Sequence, residues 1–219
     1  MANPVNNTKS ASGPAVPVQR KGAGSDTRYS VRLPDGQAAQ QLFEKARLNL
    51  LNVNSWRALA GSGAVFRIVN ESGEEVNGLV QQGHYLRISI PAIPGNKAGQ
   101  GSEWVQVEKI EEGKIKYHEF IAIRVRPASP PFAPGAETAH FFSSESTSSF
   151  CVVRNNNRIT ASVSGRNELP NTQTRNWLTG LRNLIVAAGA MLGLNKPQWK
   201  SLVKGIIRNR KPSQEKKAS

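Results

Sequence analysis

The stretch 181-LRNLIVAAGAMLGLNKPQW-199 is the longest apolar segment of the chain, and a basic tail follows it closely. It could cross a membrane, lie on one, or cover the protein's own core, and each choice leads to a different fold. The uninterrupted run 184–194 holds 11 residues, about 16 Å as a helix at about 1.5 Å per residue. A bilayer core is about 30 Å thick and needs about 20 apolar residues. Arg182 and Asn183 stand just before the run and Asn195 just after it. The segment is too short to span, and a helix apolar on most sides at this length is a buried one. It needs a surface to bury against, and the sequence before it supplies a sheet.

RYSVRL (28–33) alternates polar and apolar residues as a short first strand. Asp35 then caps a helix whose apolar positions Ala39, Leu42, Phe43, Ala46 and Leu50 form one stripe. Val53, Trp56 and Leu59 continue as a second short helix or turn, closed by Gly61 and Gly63. From there the period drops from 3.6 to 2. AVFRIV (64–69), HYLRISI (84–90), WVQVEKI (104–110), IKYHEFIAIRVR (115–126), TSSFCVV (147–153) and RITASVS (158–164) predict further strands. EEGK (111–114) and RNNN (154–157) read as hairpin turns between them. Antiparallel connections can join all seven.

After Pro170 the helical period returns. Trp177, Leu181, Leu184, Ile185, Ala188 and Leu192 share one face of a helix that Asn195 stops. Pro197 suits the first turn of another, over 197–209, with the stripe Trp199, Leu202, Val203, Ile206 and Ile207. This terminal helix either packs back on the domain, meets another subunit, or lies on a membrane surface with Lys200, Lys204, Arg208 and Arg210 toward the headgroups.

Residues 1–27 and 210–219 have few large apolar groups, and the composition predicts a disordered basic arm and tail around one domain at 28–209. Residues 1–28 and 205–219 together carry +7, half of the net charge of +14. Such ends bind polyanions without a dedicated fold, so the charge alone names no partner. No basic and apolar leader opens the chain, and a single cysteine, Cys151, forms no internal disulfide, which together give a cytoplasmic expectation. His84, His118 and His140 show no metal-ligand spacing, so no metal and no cofactor are expected. GNKAGQGS (95–102) lacks the Gly-Lys-Ser/Thr ending of a phosphate loop and leads into a strand.

The order strand, helix pair, six antiparallel strands, long apolar helix resembles the START-like or helix-grip superfamily, which includes lipid-transfer domains and polyketide cyclases. The resemblance rests on VNSWRALAG (53–61), the strand series 64–164 and the helix 172–194. WVQVEKIEE (104–112) and GRNELPNT (165–172) are also similar to bacterial proteins of the Bacteroidetes, a likeness that brings no function. The superfamily resemblance implies an α+β fold: a seven-stranded curved antiparallel sheet wrapped around a long C-terminal helix, here with an added short terminal helix. It also implies a cavity between sheet and helix, closed by two loops that fall at 91–103 and 127–146. Both exceed the usual hairpin length of about 2–5 residues.

The cavity and lid residues this implies are Phe66, Tyr85, Trp104, Tyr117, Glu119, Ile121, Phe132, Phe141, Phe142, Trp177, Leu181, Leu184, Ile185 and Ala188. On 117–126 the face with Ile121, Ile123 and Val125 is the more apolar, which puts Tyr117 and Glu119 on the core side near the strand's start. Arg166 and Glu168 alternate and leave the strand on one side, where an ion pair can form, a structural clamp in preference to a ligand contact. The function expected is non-catalytic binding of an apolar small molecule or lipid. The alternatives are an enzyme using Glu119 with Tyr117 or His118, and an adaptor whose tails make weak contact with nucleic acid or an anionic membrane.

Overall fold

The computed structural model describes residues 16–90, 97–171 and 189–208. Strand β1 (Ala23–Arg32) leads into helix α1 (Gly36–Leu51), a 3-10 turn (Val53–Ser55) and the short helix α2 (Trp56–Ala60). Strands β2 (Val65–Val69), β3 (Tyr85–Ser89), β4 (Glu103–Ile115), β5 (His118–Pro127), β6 (Thr147–Asn155) and β7 (Arg158–Glu168) follow, then helix α3 (Gly189–Ile207). The strands form one sheet in the order β1-β7-β6-β5-β4-β3-β2. Every neighbouring pair is antiparallel. The helix pair therefore carries the chain from one edge of the sheet to the other.

Sequence chemistry accounts for the main joints. Asp35 accepts a hydrogen bond from the Ala38 N–H at 2.8 Å, which satisfies one of the orphan donors that open α1. Ala39, Phe43, Ala46 and Leu50 then turn inward. Asn54 accepts from Ile68 N–H at 2.9 Å and donates to the Val76 carbonyl at 2.8 Å, covering part of the β2 edge. One face of the sheet, with Phe66, Leu86, Val107, Ile121, Phe150 and Ile159 among its residues, forms a single core with α1, α2 and α3.

The helix that fills the sheet's concave face runs through Pro197. A break at Asn195 and a separate helix from Pro197 were expected, and the structure corrects this. A proline inside a helix costs about 3 kcal/mol. Burial of Leu202, Val203, Ile206 and Ile207 in the turns after it contributes about 1.5–3 kcal/mol each, so packing overrides local propensity. The stripe is spent on the core and is not free for a membrane surface. Lys204 and Arg208 lie over the Tyr29 ring of β1, 5.7 and 5.5 Å from its centroid. Asn49 of α1 donates to the Ile206 carbonyl at 2.9 Å, one of the acceptors that the end of α3 leaves open. No described helix is long and apolar enough to cross a membrane.

Gly205 marks the closest approach of α3 to α2. A Cβ there would fall well inside contact distance of the Leu59 carbonyl. Gly205→Ala should therefore lower stability by about 1–3 kcal/mol through overpacking, although alanine ordinarily favours a helix. Urea denaturation checks this, and an unchanged midpoint would show that the two helices are not wedged together.

Two boundaries differ from expectation. Strand β1 begins at Ala23, inside the stretch assigned to the arm, because Gln19 and Asn167 bond the preceding residues to the end of β7. The β4–β5 turn sits at Lys116 and Tyr117, with Lys116 at φ +51°, and EEGK continues β4. That register sets Lys114 opposite Glu119. Tyr117 is left at the tip, 68% exposed.

Candidate functional site

At one end of the sheet, where β2, β3, β4 and β6 meet α3, a small cavity of about 70 Å³ remains. Its walls are apolar: Ala64, Phe66, Leu86, Ile88, Val105, Val125, Phe150 and Trp199 among them. Aromatic rings pack around it. Trp56 packs edge-on to Phe66 at 5.3 Å and against Phe150 at 4.6 Å, while Trp199 meets Phe150 at 5.5 Å. The polar lining consists of His140, Ser148, Glu168 and Gln198.

The loop after β5 divides its work. Its first part crosses the outer face of the sheet, where Ala139 joins Val69 and Trp104 in a separate apolar cluster with Tyr85 beside it. Phe132 meets Trp104 edge-on at 5.7 Å. Its last part, His140, Phe141 and Phe142, reaches the cavity mouth. It is stitched there to the end of β7: Ser143 N–H donates to the Leu169 carbonyl and Asn171 N–H to the Phe141 carbonyl, both at 2.9 Å. The Asn171 side chain donates to the carbonyls of Thr138 and His140.

His140 is buried, stacked on Phe141 at 4.2 Å, and its Nδ1 accepts from the Phe142 N–H at 3.0 Å. The accepting nitrogen requires the neutral ring with its proton on Nε2. Burial pushes its pKa down to about 3. In the unfolded chain the ring titrates at about 6.5, so the stability it allows is complete above that pH and is lost as pH falls toward 3. At pH 5 the loss relative to pH 7 should be about 2 kcal/mol. His140→Phe should remove that part of the acid slope when unfolding free energies are compared across pH.

Glu168 turns inward at the same mouth. Its Oε1 accepts from Ser25 Oγ at 3.1 Å, and Oε2 is buried with no hydrogen-bond partner among the described residues. Burial raises its carboxyl above the usual range, against the Ser25 hydrogen bond and the charge of Arg166. The expected Arg166–Glu168 pair does not form. Asn167 between them stands at φ +55°, which breaks the strand alternation. Arg166 instead binds Asp26 at 2.9 and 3.2 Å and the Ser25 carbonyl at 3.1 Å, clamping β7 to β1.

Of the residues expected in the cavity, Phe66, Phe141 and Phe142 line it. Ile121 is buried in the core away from it. Tyr85, Trp104 and Phe132 belong to the outer face, because Leu86 and Val105 take the inward positions of β3 and β4. Glu119 does point inward, as its alternation with Ile121 required, but at the opposite end of β5. It is 3% exposed beside Arg154, itself 4% exposed. Arg154 Nε donates to Glu119 Oε2 at 2.7 Å and Lys114 pairs with Oε1. Burial alone would raise the Glu119 carboxyl, and the bonds from Arg154 and Lys114 override it and hold it below the ordinary range. Trp177, Leu181, Leu184, Ile185 and Ala188 lie outside the described residues. Sequence reasoning did not place His140, Ser148, Gln198 or Trp199 at the cavity. The one available signal was a histidine set directly before two phenylalanines in a long loop.

Cys151 is buried on the outer face against Ala122 and Val16, and burial pushes its thiol up to about 12, which leaves it unreactive. Among the described residues no group of three or more potential ligands could hold a metal ion.

Strand order, the helix pair between β1 and β2, and a C-terminal helix against the concave face define an α+β protein of the helix-grip class. No protein-family model matches the sequence, and no curated protein matches it. Among solved structures the chain is similar to a hypothetical protein from Helicobacter pylori, with 12% identity over 83% of this chain and 86% of that one and a TM-score of 0.46. It is similar to truncated norcoclaurine synthase from Thalictrum flavum, with 10% identity, coverage of 89% and 99%, and a TM-score of 0.38. Major latex-like protein 151 from Panax ginseng shows 9% identity, coverage of 80% and 99%, and a TM-score of 0.31. Likeness at this level carries nothing about activity.

Proposed function

We propose that the protein is a non-catalytic binder of a small amphipathic or lipid-like molecule whose apolar end enters the cavity beneath His140, Phe141 and Phe142. The observation that carries this reading is an apolar chamber with a few polar groups gathered at its mouth, the usual composition of a small-molecule site. The space of about 70 Å³ holds only a handful of water-sized atoms. Pockets for drug-sized ligands measure about 300–1,000 Å³, so the chamber takes a chain end and leaves the rest outside. Four methylenes buried at about 0.8 kcal/mol each give about 3 kcal/mol, which corresponds to millimolar binding.

The surroundings of Glu119, Tyr117 and His118 favour binding over the enzyme reading. Glu119 is committed to Arg154 and Lys114, Tyr117 sits at a turn tip, and His118 is exposed.

Butanol to octanol at ten times their dissociation constants should raise the melting temperature by about 3–5 °C. Ala64→Leu, which fills the chamber from its wall, should abolish that rise without lowering the starting value. No rise with any alcohol, or an equal rise in the filled variant, would refute the chamber as a binding site.

A further inference from the structure

We infer that the mouth selects ligands whose apolar end carries a hydrogen-bond donor, a protonated amine above all, with the Glu168 carboxylate as acceptor. This rests on the chamber reading above and names the chemistry of its ligand.

Three observations converge on Glu168. It lines the chamber, and its Oε2 is buried without a hydrogen-bond partner among the described residues. A buried acceptor left unpaired is costly, and a ligand donor that fills it recovers that cost. The backbone also builds the position. Asn167 at φ +55° turns the side chain inward, and the carboxylate lies over Gly165, where a Cβ would collide with Oε1. Ser25 Oγ then holds Oε1 at 3.1 Å, which leaves Oε2 as the open oxygen.

The third observation is the charge around it. Among the described residues no lysine or arginine lines the chamber. Arg166, next but one in sequence, is occupied by Asp26. His140 is neutral, and its Nδ1 is already taken by the Phe142 N–H. A carboxylate or phosphate headgroup would therefore meet an acid, with no cation in the described lining to balance it. An ammonium or hydroxyl would find an acceptor already oriented.

The test compares hexylamine, hexanol and hexanoate, titrated at pH 7 into the full chain and followed by NMR. Hexylamine should bind at least tenfold more tightly than hexanoate, with hexanol between them. That order runs against the protein's net charge of +14, which would favour the anion at any non-specific site. Glu168→Gln, which removes the charge, should bring hexylamine binding to within threefold of hexanol, and a variant that keeps the wild-type preference for hexylamine would overturn the inference. Hexanoate binding to the unaltered chain as tightly as hexylamine would overturn the inference while leaving the chamber reading intact, and needs no variant to fold. Binding by none of the three would overturn the chamber reading and this inference with it.

Discussion

Glu119→Leu should lower the unfolding free energy by about 3–5 kcal/mol, because it strands the Arg154 guanidinium inside the protein. After the change Arg154 would keep only a 3.4 Å contact from Nη1 to the Asn156 carbonyl. The double variant Glu119→Leu, Arg154→Met should regain at least half of the loss, since replacing both buried charges by apolar groups is often neutral or better. A single variant as stable as the parent would mean that the pair is hydrated. The same residue shapes the acid limb of stability. Its carboxyl is held below the usual range, so its contribution is present above the ordinary carboxylate range and is lost as pH falls through and below it. Glu119→Gln should leave alcohol binding unchanged, because the pair lies at the other end of β5 from the chamber.

Trp56→Ala should cost about 3–5 kcal/mol as well, through lost burial and the cavity left behind. The indole is almost wholly buried between Phe66 and Phe150, and its Nε1–H donates to the Leu50 carbonyl at 3.1 Å. For a domain of this size that loss corresponds to a fall in melting temperature of about 10 °C. A fall of under about 2 °C would show that the concave face is loosely packed rather than filled by aromatic rings.

The seven strands were legible because each obeys a two-residue alternation long enough to be unambiguous, and α1 because Asp35 and its apolar stripe agree. What escaped depends on register and on single backbone angles. EEGK looks like a turn by composition, yet the turn two residues later lets Lys114 and Glu119 face each other across β4 and β5. Alternation gave the inward face of β5 correctly. It could not say that Glu119 would find Arg154, which comes 35 residues later on the neighbouring strand. Tyr85 and Trp104 were expected at the cavity from the resemblance, and the phase set by Leu86 and Val105 places them outside. The split of Arg166 from Glu168 turns on the one positive φ at Asn167, which asparagine tolerates but no periodicity reveals. Pro197 was read by its usual role, and long-range burial of the stripe beyond it prevailed.

The binding site is tested most directly by titrating hexanol into uniformly 15N-labelled protein and following backbone and indole amide shifts. The expected result is a saturable set confined to residues 140–142, Ser148, Glu168, Gln198 and the Trp199 indole, with Trp104 and the outer face unmoved. Shifts gathered on the outer face around Trp104 and Phe132, or none that saturate, would contradict it.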